Sequence, residues 1–435
     1  MTVARDAFRR STRALLVLGI LAGINSGGGL ALTQPEQLSL ATDVYFHAAT
    51  AMLEGGDLYA TTPPGLPDYH YIYPPIVVVL FLPHALLGSE AAAYAFQTVL
   101  NLVAGLGIAL VLLRAISRRG IALPRTDRLL VGGFALLSAW SASQLVMGQV
   151  NLWLALAIAL GLDWLDRERF AVRTGSADGP PDRSTWAGVA FALAALVKLF
   201  PAVLGLWLLR TRRYRALVAA IATGLGGLLL GALVFGPDLT IEYLTEVLVG
   251  RFEGETFEGS PDPDRNHTTA RRMLAATFGG SSPIVTPLAI ALVLPPVAYC
   301  YRDVSTESRR LTAILATLVG TLLIMPLQPL YFSFLYFPVV VLVVTLDAGR
   351  PRKLLVAGTI FTFVLAGPES LELLATILPD SLGASVVDAG NAIFSVILPP
   401  TVGMWLLLAA CVAVHAGVDN DAVEWRSSDG ATAVE

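Results

Sequence analysis

Few residues in this chain have the type and setting to do chemistry. The stretch 39–59 reads as a helix that places Asp43, His47, Thr50 and Glu54 on one face, at spacings of four, three and four. Ala41, Val44, Tyr45, Ala48 and Met52 cover much of the other side, so the segment is amphipathic and suited to a membrane surface. A solvated helix face is the plain alternative for those polar groups. His47 is a second base or hydrogen-bond partner in this reading, or a surface histidine without duties. Lys198 is the one basic residue inside an apolar stretch. A charge there costs about 3 kcal/mol on insertion scales, so it pairs, lines a polar pathway or snorkels. Its natural partner is an anion, and a lipid phosphate is the anion available at that depth. Arg271 and Arg272 form the densest basic pair of their region, fit to clamp a phosphate or to sit on lipid headgroups. Arg265 and Arg251 are weaker candidates. Tyr69, Tyr71 and Tyr73 read as an interfacial belt, with sugar stacking as the unspecific alternative.

The elements that must position these groups follow from composition. The chain has 435 residues, 55% hydrophobic and 14% charged. Soluble domains carry about 25% charged residues, and several apolar runs here reach the roughly 20 residues that cross a bilayer. This is an all-α polytopic membrane protein. A net charge of −4 argues against a nucleic-acid partner. Cys300 and Cys411 lie in or beside apolar runs without metal or redox spacing, so neither a disulfide nor a metal site is expected. No Gly-rich phosphate loop, zinc motif or Ser/His/Asp signature occurs. The basic, apolar N-terminus resembles a secretory signal, but Ala31-Leu32-Thr33 is a poor cleavage site and it reads as a retained first span.

Full spans are expected near 14–32, 91–113, 128–147, 150–165, 216–236, 283–301, 309–327, 330–347, 353–367 and 391–415. With both termini in the cytoplasm, every lysine and arginine except Lys198, Arg251, Arg265, Arg271 and Arg272 is assigned to the cytoplasmic side. Asp43 then faces outside. Two segments must not cross for this to hold. Segment 74–88, opened by Pro74-Pro75 and interrupted by Pro83, reads as an external-surface or re-entrant helix. Segment 186–209 has basic flanks and Pro201 in its middle. It reads as two half-helices meeting around Lys198-Leu199-Phe200-Pro201 and returning to the cytoplasm, with one ordinary span as the alternative. The whole chain, 1–435, is thus a single integral membrane domain with external loops 33–90, 237–282 and 368–390 and a flexible cytoplasmic tail 418–435. Asn266-His267-Thr268 in the second loop is a glycosylation sequon.

Several motifs occur in a familiar order. Asp43-x-Tyr45-x-x-Ala48-Ala49 is followed by Gly55/Gly56-Asp57-x-Tyr59, then Tyr73-Pro74-Pro75 and Pro83, then Gly148-Gln149-Val150-Asn151. Next comes Gly188-x-x-x-Ala192-x-x-Ala195-x-x-Lys198-Leu199-x-Pro201, with the basic turn 210–215 behind it. In this order the chain resembles the GT-C-fold, polyprenyl-phosphate-sugar-dependent membrane glycosyltransferases, most of all glycosyltransferase family 87, which includes alpha-mannosyltransferases. The resemblance covers roughly residues 40–215. The later half matches in hydropathy only, and Met325-Pro326-Leu327-Gln328-Pro329-Leu330-Tyr331 stands where members often carry a histidine.

The resemblance implies a GT-C-like fold of about ten spans and an inverting hexosyl transfer on the outer face of the cell membrane. The donor is a polyprenyl or dolichyl monophosphate sugar, with mannose the expected sugar. The acceptor is a lipid or glycan hydroxyl, and no metal or separate cofactor is required. It makes Asp43 the general base, a role a positioned carboxylate can fill against an oxocarbenium-like centre. Lys198, with Arg271 and Arg272, becomes the donor-phosphate site. His47, Tyr45, Glu54, Tyr73, Gln149 and Asn151 are the weaker acceptor or sugar contacts. Two other classes compete. A secondary transporter or lipid flippase would use the broken helix at Lys198 as a midplane anion site, and a non-catalytic scaffold would use none of these residues.

Overall fold

The computed structural model describes residues 2–174, 182–253, 267–280, 282–325 and 328–418. The described residues are 79% helix, with no strand among them. The first half runs as α1 (Thr2–Thr33), α2 (Leu40–Glu54), a 3-10 stretch Pro75–Phe81 continuing into the short α3 (Leu82–Leu86), and α4 (Glu90–Arg118). Then follow α5 (Arg125–Leu137), α6 (Ala139–Met147), α7 (Asn151–Thr174), α8 (Ser184–Val197), α9 (Leu204–Arg210) and α10 (Tyr214–Phe235). The second half adds four short helical pieces between 237 and 278 and the helices Val285–Cys300, Glu307–Ile324, Tyr336–Thr345, Arg350–Phe361, Pro368–Ala375, Asp380–Val396 and Pro399–His415. One buried apolar cluster runs from Leu15 to Cys411.

The ten expected spans are not ten long helices. Among the described residues three helices have the length and composition to cross a membrane: Arg10–Thr33, Glu90–Arg118 and Tyr214–Phe235. Two bent pairs raise this to five, α5 with α6 (44°) and Asp380–Val396 with Pro399–His415 (46°). Three of the remaining apolar runs are cut short by local chemistry, whereas Asn151–Thr174 and Glu307–Ile324 are continuous helices of 24 and 18 residues. Segment 330–347 begins as a 3-10 stretch behind Pro329, 283–301 holds Pro295 and Pro296, and 353–367 yields only the twelve residues Arg350–Phe361. Hydropathy sees the apolar runs and misses these interruptions.

Segment 74–88 is a short apolar element. Seven 3-10 residues and five helical ones extend about 21 Å, short of a hydrocarbon core of about 30 Å. Val77, Val78, Phe81 and His84 are buried on one side, while Val79, Leu80 and Leu86 are exposed on the other.

Segment 186–209 is a hairpin. The α8 start and the chain just beyond α9 meet at one carboxylate. Glu168 near the end of α7 accepts from the Arg183 backbone N–H (2.9 Å), from Ser184 Oγ (3.0 Å) and from Arg213 (2.6 Å). Fourteen residues of α8 rise about 21 Å. Lys198 then turns extended, and the 3-10 stretch Phe200–Val203 with α9 descends about 18 Å. The single-span alternative would set these ends far apart. The α8 arm leans on α10 through Gly188, where a Cβ would fall 2.0 Å from the Ala216 carbonyl oxygen.

The two ends of the molecule differ in charge. Helix α4 is 29 residues, about 43 Å long. Its first residue, Glu90, pairs with His47. At its last turn Arg118 pairs with the buried Asp163, and Arg119 pairs with Asp166 and Glu307. Arg167, Arg213 and Arg210 gather at the same end as these ion pairs.

Candidate active site

Helix α2 is docked on protein, which corrects the expectation of a lipid-facing apolar stripe. Ala41, Val44, Tyr45, Ala48 and Ala49 are buried, and Met52 is half-buried. Two bonds fix its N-terminus to the turn between α6 and α7. The Ser39 N–H donates to the Val146 carbonyl (2.9 Å), and Thr42 Oγ1 donates to the Gly148 carbonyl (3.2 Å). The approach requires Gly148, which has φ of 65° and would place a Cβ 1.8 Å from Thr42 Oγ1.

Asp43 lies in the first turn of α2, half-buried. Ser39 Oγ donates to its Oδ2 at 2.7 Å, whereas Oδ1 is shielded and has no hydrogen-bond partner among the described residues. Burial pushes its pKa up from the ordinary carboxylate value. The Ser39 bond and His47 pull it down, and Glu90 pushes it up. His47, one turn on, meets Glu90 Oε1 through Nε2 at 2.7 Å. Thr50 turns back to the Phe46 carbonyl, and Glu54 is exposed at the helix end, about 16 Å along the axis from Asp43. The polar face thus divides into an Asp43–His47–Glu90 group and a remote Glu54.

The opposite face of α2 enters an aromatic nest. Tyr45 stacks on Phe81 (4.1 Å between ring centroids), and its hydroxyl contacts Tyr73 OH (3.1 Å) and donates to Gln149 Oε1 (3.2 Å). Tyr71 and Tyr73 are 1% and 3% exposed, so they are interior residues rather than an interfacial belt; Tyr69 alone of the three is exposed. Below the nest, Asn151 donates to Gln144 Oε1 (2.9 Å) and to the Leu330 carbonyl (3.3 Å).

Leu330 leads to the amine. Lys198, at the hairpin apex, is 4% exposed. Its Nζ donates to Tyr331 OH (3.4 Å) and lies 4.5 Å from the centre of that ring. Tyr331 is also close enough to act electrostatically on Tyr45. A continuous path therefore runs from Lys198 through Tyr331, Leu330, Asn151 and the 148–149 turn to Thr42, the neighbour of Asp43. Among the described residues no hydrogen bond or ion pair joins Asp43 to Lys198 directly.

Arg271 and Arg272 open the helix Ala270–Phe278, capped by Thr269, whose Oγ1 also donates to the Leu323 carbonyl (2.6 Å). Arg272 is fully buried and its Nε donates to the Phe394 carbonyl at 2.7 Å. Burial lowers the Arg271 pKa from its ordinary value. The arginines thus stand on a separate helix, near the chain that leads to Tyr331. Arg265 and Asn266 lie outside the described residues, and so do the tail 419–435 and most of the polar loop before α8.

Sequence reasoning passed over a buried amide relay. His84 Nε2 meets Gln97 Oε1 (2.9 Å). Asn101 donates to the Gln149 carbonyl (3.0 Å) and to that of Gln144 (3.4 Å), and Gln97 donates to the Gln149 carbonyl (3.4 Å). The signal was present: Gln97 and Asn101 are four apart within an apolar helix and so share a face. Tyr331 and Ser39 were also missed as partners of Lys198 and Asp43.

The comparisons with known proteins add a family and a relative. The model of glycosyltransferase family 87 matches residues 71–327, more than half of the chain. The polyprenol-phosphate-mannose-dependent alpha-(1-2)-phosphatidylinositol mannoside mannosyltransferase of Mycobacterium tuberculosis (strain ATCC 25618 / H37Rv) is 32% identical over 226 residues. The alignment covers 47% of this chain and 47% of that relative, so the chain spans about half the length of the curated relative it matches.

Proposed function

This chain belongs to glycosyltransferase family 87, and on that premise we propose that it moves mannose from a polyprenyl monophosphate to a hydroxyl of a lipid or glycan, with inversion at the anomeric carbon. The relative's printed dependence on polyprenol-phosphate-mannose supports the donor. The acceptor oxygen bonds to the anomeric carbon as the bond from that carbon to the phosphate oxygen breaks. The electron pair leaves with the polyprenyl phosphate, and the acceptor proton passes to Asp43. A carboxylate held by one oxygen, and with no partner for the other among the described residues, suits that base.

The departing phosphate gains negative charge. Lys198 offers a fixed positive charge to it in a site of low polarity, where such a charge counts most. Tyr45, Tyr73, Gln149 and Asn151 would meet sugar hydroxyls, and Arg271 and Arg272 would complete the phosphate site. The end that carries Arg118, Arg119, Arg167 and Arg213 would face the cytoplasm and the Asp43 end the outside. The observation that carries the reading is the hairpin, which buries one lysine at its apex on the same path of hydrogen bonds and short backbone links that ends beside Asp43.

The test is mannose transfer by the purified protein in lipid, from polyprenyl-phosphate mannose to acceptors in a membrane extract, with Asp43→Asn beside the wild type. An active wild type and a folded, inactive variant are expected. Equal transfer by both would remove Asp43 as the base. No transfer from any polyprenyl-phosphate sugar, with labelled lipid instead crossing vesicles, would favour transport.

A further inference from the structure

Ser39 occupies the N-cap position of α2 yet does not cap it. A capping serine accepts from a backbone N–H two or three residues on; the Ser39 side chain makes no such bond. Its Oγ donates instead to Asp43 Oδ2 at 2.7 Å. Its backbone is left-handed, with φ of 62°, a conformation sterically unfavourable for L-residues and found here in only one other non-glycine described residue, Arg212. The conformation is held from both sides. The Ser39 N–H binds the Val146 carbonyl, and its own carbonyl accepts the Asp43 N–H, each at 2.9 Å.

We infer that Ser39 is a positioning residue for the base, fixing the Asp43 carboxylate through Oδ2 so that Oδ1 alone takes the acceptor's proton. The inference rests on the assignment of Asp43 as the base. It explains why an energetically unfavourable backbone is kept: the left-handed turn brings Oγ under the carboxylate while the N–H anchors both to the turn that carries Gln149. A fixed carboxylate loses no time and no free energy finding its reactive rotamer. The ionisable groups facing Asp43 are His47 on its own helix and Glu90 and Tyr94 on α4. The Ser39 bond, like His47, favours the charged form, against burial and Glu90.

Ser39→Gly and Ser39→Ala separate backbone from side chain, because glycine relieves the left-handed strain and alanine does not. Both are expected to lower kcat about 10- to 100-fold while the donor KM stays within about twofold. In both, the acid limb of kcat/KM moves to higher pH, since a bond that stabilised the carboxylate is gone. Ser39→Gly should melt no lower than the wild type, which sets the loss apart from unfolding. Ser39→Asn, which accepts the left-handed backbone and carries an N–H donor, should recover part of the rate. Added to Asp43→Asn, the glycine variant should cost nothing further. Should Asp43→Asn be inactive while Ser39→Gly keeps the wild-type kcat and pH profile, the positioning role is overturned and the base assignment stands. An active Asp43→Asn overturns both.

Discussion

Asp43 and Lys198 are each buried further than a surface charge, and each has a consequence for stability as well as rate. Burial raises the Asp43 pKa in the folded protein. A raised carboxyl contributes its stability in full below the unfolded pKa and loses it as pH rises through the folded one. The ionised wild type therefore carries a cost at neutral pH that an amide does not. Asp43→Asn should melt at or above the wild type at pH 7, and the gap should narrow toward pH 4 in thermal unfolding. Lys198→Met removes the charge and keeps the bulk. It should leave the melting temperature level or higher, while kcat for polyprenyl-phosphate mannose drops about 100-fold or more. Both residues were legible in the sequence, because a carboxylate after a span and a lysine within an apolar run are local facts. Their partners were not. Ser39 is ordinary in composition and unusual only in φ, and Tyr331 reaches Lys198 from 133 residues away in the chain.

The hairpin and the α6–α7 turn show how elements set those positions. Glu168 holds three groups from the two feet of the hairpin, so Glu168→Ala should leave them unpaired and cost about 1–3 kcal/mol. The loss would appear in unfolding and, through the displaced apex, in a raised donor KM. Gly148→Ala forces a left-handed alanine at roughly 1–2 kcal/mol and drives its Cβ into Thr42, freeing the start of α2. Gly224→Ala is the control, since a Cβ there meets nothing within 4 Å. Activity should fall in the first and hold in the second. Pro201 made the break in the hairpin readable beforehand. The meeting of its feet was not readable, because it depends on a carboxylate sixteen residues before Ser184. The apolar face of α2 was read correctly as apolar but assigned to lipid, since amphipathicity alone does not say whether lipid or protein covers it.

At the scale of the whole molecule, the acidic start and basic end of α4 lie about 43 Å apart, which makes sidedness measurable. Cys300 and Cys411 are buried and free, so the wild type offers little background to a membrane-impermeant thiol reagent. A cysteine at the exposed Glu54 should be labelled from outside intact cells, and one at the exposed Arg125 only after the membrane is opened. Labelling of both from the same side would overturn the assigned orientation. Hydropathy carried the all-helical, apolar character without coordinates, and the spread of arginines supplies the orientation that this labelling tests. The number of long helices was beyond them, because prolines and 3-10 turns break apolar runs without making them less apolar. The hairpin adds a consequence of its own. Both feet stand on one carboxylate, so the height of the lysine is metered by residue count, as on a ruler. Deleting one residue from α8 would lower the tip by about 1.5 Å and swing it by about 100°. Removing a full turn from each arm would keep its bearing and sink it by about 5 Å. Chains that share this hairpin but differ in its arm lengths would hold the apical lysine at different heights above the carboxylate at its feet, and the length of α8 would tell how high.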